Sequence, residues 1–191
     1  GAIAELDPAR PPTASDEVIQ ALWQMKRRLL AADRADLAVQ TDRLYTRYLL
    51  VDEVLRDKFD EGELTFERAR ALVGEVSRAA IDDLDTMASV VRGVAGVDAA
   101  FVQRRLQQDR ERMTADEVQA LTRRLELIET TEDRVRELSA RTEAAITALD
   151  DTAVAVSAVR TDRPRASVAA DQALADLRRF VDRAHQYGHK D

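Results

Sequence analysis

Two histidines, His185 and His189, stand four residues apart, with Asp182 three residues before the first. On a helix those three side chains share a face, and two imidazoles with a carboxylate can hold zinc. Gly188 lies between the histidines, where a helix should stop, so a solvated tail is the better reading. Neither HExxH nor Glu-x-x-His occurs, which removes the zinc-protease and di-iron-bundle patterns. Carboxylates gather at Asp82, Asp83 and Asp85 and again at Asp150 and Asp151. As acid/base partners or cation ligands they would need a pocket, and the sequence shows none, so they read as helix surface. Gly93-Val94-Ala95-Gly96 lacks the lysine and serine of a phosphate loop and follows a helix rather than a strand. With both histidines in the tail, no Ser/His/Asp arrangement can be argued. The expectation is a protein that is not an enzyme, with no catalytic residue, no cofactor and no metal.

Basic clusters occur at Lys26-Arg27-Arg28, Arg104-Arg105, Arg123-Arg124 and Arg178-Arg179. Aligned on one side they would suit anionic lipid or nucleic acid. Acidic neighbours such as Asp109, Glu111 and Glu126 dilute them, and i,i+4 ion pairs on a solvated face are the simpler account. The net charge of −7 argues against a nucleic-acid partner. A membrane surface stays open as a partner but is not favoured, for want of a lysine-rich helix. Cysteine is absent, which excludes disulfides and thiolate chemistry and fits a reducing compartment, so a cytoplasmic location is expected.

The elements that would carry these groups are helices. The chain has 191 residues, 45% of them apolar and 34% charged, with six glycines and four prolines. A sheet protein of that size needs more turns. Between Thr114 and Arg160 a stripe runs through Val118, Leu121, Leu125, Ile128, Val135, Thr142, Ile146, Leu149, Ala153 and Val156 at spacings of three and four or their sums. That spacing keeps one face of a helix apolar for about a dozen turns. Thr114 and Glu117 form a capping-box pattern at its start. Pro164 ends or kinks it, and a last helix with Leu174, Leu177 and Val181 follows.

Upstream, Val18, Leu22, Met25 and Leu29 make one stripe and Leu37, Leu44, Tyr48, Val51 and Leu55 another. Trp23, Leu30, Leu37, Leu44 and Val51 recur every seven residues through the junction, so one helix with a flaw at 32–36 is favoured over a break. Gly62 is expected to end it in the left-handed conformation, with Thr65 capping the next helix. Three arms of about 65–70 Å result, the middle one kinked at Gly93–Gly96. The fold expected is an all-α, elongated antiparallel helical bundle with coiled-coil-like packing. Residues 1–14, rich in proline, form a flexible leader, 15–187 a single domain and 188–191 a tail.

The most unusual segment is Thr152–Val159, uncharged on every side of its helix. Such a stretch must be covered all round. Either the last helix packs back on it, or Ala153, Val154, Val156 and Val159 make a docking surface. The functional expectation is a scaffold or adaptor acting through protein–protein contacts, with a homo-oligomer possible and the protein partner unknown. Alternatives are a peripheral membrane-surface protein, or a ligand-sensing domain excised from a larger receptor.

Overall fold

The computed structural model describes residues 4–159 and 164–187, with side chains except those of 164–169 and 187. It is all-helical, 82% helix, without strands among the described residues, and six helices pack against one another. They are α1 (Glu17–Ala31), α2 (Ala35–Lys58), α3 (Leu64–Gly93), α4 (Ala99–Gln108), α5 (Ala115–Ser157) and α6 (Pro164–Tyr187), with a 3-10 turn at Arg110–Arg112. At 43 residues, α5 is the spine, about 65 Å long. Its start is the expected capping box: the Thr114 hydroxyl accepts from the Glu117 N–H at 3.2 Å, and the Thr114 N–H donates back to the Glu117 carboxylate at 3.1 Å. Pro164 does not only follow α5; it opens α6, where a missing N–H leaves no helical bond unmade.

The single rod expected over 15–58 does not form. The chain turns at Ala32–Arg34, and α1 folds back antiparallel on α2, with Lys26 beside Asp42 and Asp16 beside Tyr48. The cause is a Schellman turn. The Arg34 N–H donates to the Leu29 carbonyl at 2.9 Å and the Asp33 N–H to the Leu30 carbonyl at 3.0 Å. Asp33 takes the left-handed conformation, φ 59°, which a short polar side chain tolerates. The seven-residue repeat therefore fails at its second member, and Leu30 is left 37% exposed. Gly62 is not left-handed either. The chain leaves α2 through an extended Phe59, and the Glu63 carboxylate, rather than Thr65, holds the turn by accepting from the Asp60 N–H.

Packing α3 antiparallel on α2 sets Arg70 near Asp52 and Arg56 over the Phe66 ring. The middle arm then breaks as expected, with Gly96 at φ 83°, and α4 carries it onward beside α5. The detour has a topological result: α5 returns parallel to α2. Pairs Arg34–Glu132, Gln40–Ser139, Arg43–Glu143 and Arg47–Asp150 ascend together along both helices. The core lies among α1, α2, α3 and the second half of α5, around Leu22, Leu44, Leu84 and Leu149, each fully buried.

Residues 4–14, the described part of the expected leader, lie across α1 and α2. Leu6 is buried, and Lys26 donates to its carbonyl at 2.6 Å while its N–H donates to Asp42 at 2.8 Å.

Candidate functional site

Of the four residues expected as an interaction surface, Ala153, Val156 and Val159 are buried within the chain and Val154 is 71% exposed. The uncharged run thus goes largely to internal packing. Its two hydroxyl residues turn inward on their own helix: Thr152 donates to the Ala148 carbonyl and Ser157 to that of Ala153.

Open apolar surface lies at the opposite end of α5. The α1–α2 turn reaches α5 at Glu132, through Arg34. Over 115–134 the only buried residue is Leu121, and on α4 the only one is Val102. These two helices make an arm that no other described helix covers extensively. A pair of helices cannot enclose its own apolar stripe. Val118, Leu125 and Ile128 stay half-buried, while Phe101 is 51% exposed, Leu127 46% and Val97 37%. Sequence reasoning passed over Leu127 because it stands off the stripe, and Phe101 because α4 reads as polar. An aromatic with no apolar neighbour at i±3 or i+4 was the available signal.

A groove of about 900 Å3 runs between α3, α5 and α6. Ala80, Ala148, Leu177 and Phe180 are among its lining, and Asp83 and Arg141 face each other there at 3.0 Å. Burial pushes the Asp83 carboxyl up to about 6, with Arg141 pulling it partly back. Proton uptake at Asp83 therefore favours the folded chain. That contribution is complete below the unfolded value of 3.8 and is lost as pH rises through about 6. Asp36 behaves oppositely: its hydrogen bond to Arg34 lowers its pKa, so its stabilisation fades as pH falls. Asp83→Asn is expected to remove the fall in stability between pH 4 and 6 that belongs to this group. Urea midpoints of the two chains, compared across that range, check it.

The remaining candidates do not converge. His185 and Asp182 are exposed on α6, and His189 lies outside the described residues. No group of three metal-ligating side chains exists among the described residues. Asp82 and Asp85 are exposed, Asp150 pairs with Arg47 at 2.8 Å, and Asp151 faces the groove from an exposed position. Two of the basic clusters show the local ion pairs expected of a solvated face: Arg123 with Glu126 in one, and Arg178 with Asp182 and Arg179 with Asp176 in the other. Lys26-Arg27-Arg28 departs from that expectation. Lys26 is buried against Asp42, Arg27 stacks 4.8 Å from the Trp23 ring and Arg28 crosses to Asp85. Comparison with protein families, curated proteins and solved structures found no match.

Proposed function

We propose that this chain is a non-enzymatic scaffold or adaptor that works by contact and associates with a second copy through the α4–α5 arm. The observation that supports the reading is the exposure of Phe101 on α4, Leu127 on α5 and Val97 just before α4, in the part of the molecule where α5 buries only Leu121. Two antiparallel helices with a half-covered stripe are half of a four-helix bundle, and a two-fold related copy completes it. Aromatic and aliphatic anchors at the centre of such a contact supply most of its affinity. No helix among the described residues is long and apolar enough to cross a membrane.

Light scattering on the unmodified chain is expected to give a mass that climbs above 21.3 kDa with concentration. Phe101→Asp with Leu127→Asp is expected to hold it at one chain, with the helical melting curve unmoved. A constant single-chain mass for the unmodified protein up to high concentration would defeat the self-association. A second reading, a ligand-sensing domain, draws on the groove: a small molecule seated there must displace the Asp83 titration.

A further inference from the structure

The segment over residues 4–14 is held almost wholly through its main chain. The Thr46 hydroxyl donates to the Ala4 carbonyl at 3.1 Å. Asp42 and Lys26 take the N–H and carbonyl of Leu6 at 2.8 and 2.6 Å. The Trp23 indole donates to the Asp7 carbonyl at 2.9 Å, and the Gln20 amide donates to those of Pro12 and Ala14, both at 2.9 Å. Leu6 is the single buried side chain, 5% exposed, while those of Glu5, Asp7 and Arg10 face solvent. Side chains from α1 and α2 thus read the main chain of an irregular segment, turned once where the Arg10 N–H donates to the Asp7 carbonyl at 3.1 Å, and take one aliphatic anchor, the way a peptide is recognised through its backbone. Lys26 and Asp42 give that site its depth: each is buried, and the pair lies at 2.8 Å from one another while also binding Leu6.

The join to α1 is suited to release. Pro11 and Pro12 hold the chain extended, Thr13, Ala14 and Ser15 are exposed, and α1 is capped without the segment, by Asp16 accepting from the Val18 and Ile19 N–H groups. Detaching residues 4–14 therefore leaves α1 intact. What it opens is a charged pair and an indole lacking their main-chain partners, which is costly until they are refilled.

We infer that residues 4–14 of a second copy fill this site in trans, so that two chains exchange their N-terminal segments. The occupant's chemistry is the one on view: a main chain turned once at Asp7–Arg10, with a leucine at the anchor. Reciprocal exchange keeps every contact in both chains and adds only the cost of association, so it grows with concentration. The inference rests on the reading of the protein as a self-associating contact module, but not on the arm.

The chain has no cysteine of its own, which makes the test direct. Ala4→Cys and Thr46→Cys are placed in separate full-length chains, mixed, equilibrated and treated with a short bis-maleimide. The expected result is a linked heterodimer, identified by peptide mapping at those two positions, whose yield rises with concentration. Excess synthetic peptide of residues 1–14 is expected to suppress it, and Leu6→Asp in the Ala4→Cys chain to abolish it. Carried in the Phe101→Asp/Leu127→Asp background, the link is expected to persist, which separates exchange from arm pairing. A chain with both cysteines that links within itself, while the mixture of single variants gives no heterodimer, would overturn the inference.

Discussion

Asp42→Ala is expected to cost about 3–5 kcal/mol, the loss typical when one member of a buried ion pair is removed. Asp42 and Lys26 are each 11% exposed at the side chain and stand 2.8 Å apart. Alanine at 42 leaves an ammonium group deep between α1 and α2, and it also strips the Leu6 N–H of its acceptor. Replacing both charges, with Lys26→Met and Asp42→Leu, is expected to cost much less, because no uncompensated charge remains. Urea denaturation followed by circular dichroism reads both. If the double variant were the less stable, the pair would be an attractive contact and not a mutual neutralisation.

The second large effect is a contrast between two apolar residues. Phe66 is 1% exposed at the start of α3, with the Arg56 guanidinium 5.8 Å above its ring. Phe66→Ala is expected to destabilise the chain by about 3–5 kcal/mol, through lost burial and the cavity left behind. Leu127, 46% exposed on the arm, is expected to change stability by no more than about 0.5 kcal/mol when cut to alanine. The same Leu127→Ala chain is expected to associate more weakly in sedimentation. Both outcomes together would put folding energy and contact energy in different parts of one molecule. A Leu127→Ala chain that melted as early as Phe66→Ala would place the arm inside the cooperative core.

The signals that were legible in the sequence are local ones. The capping box at Thr114 and Glu117 needs only its own four residues, and it holds. The break at Gly93–Gly96 needs only glycine's freedom, which Gly96 uses. The turn at Asp33 was masked because an apolar repeat runs unbroken across it. Periodicity reports which face is apolar and not whether the chain reverses, and a Schellman turn with aspartate in place of glycine carries a weak signature. The docking of residues 4–14 was illegible for another reason. Proline there forbids helix, but packing is set by Trp23, Lys26, Asp42 and Thr46, sixteen to forty-two residues away. Likewise, the uncharged run Thr152–Val159 signals burial without naming the cover. Asp83 gains its character only when α5 and α6 close over α3.

Trp23 is the sole tryptophan of the chain, and its indole N–H is bound to the Asp7 carbonyl beneath the Arg27 guanidinium. The molecule therefore carries its own optical gauge. Emission excited at the indole comes from one position, and that position touches the N-terminal segment directly. A change in its colour or its quenching by a dissolved collider registers whether that segment is seated, with no dye attached.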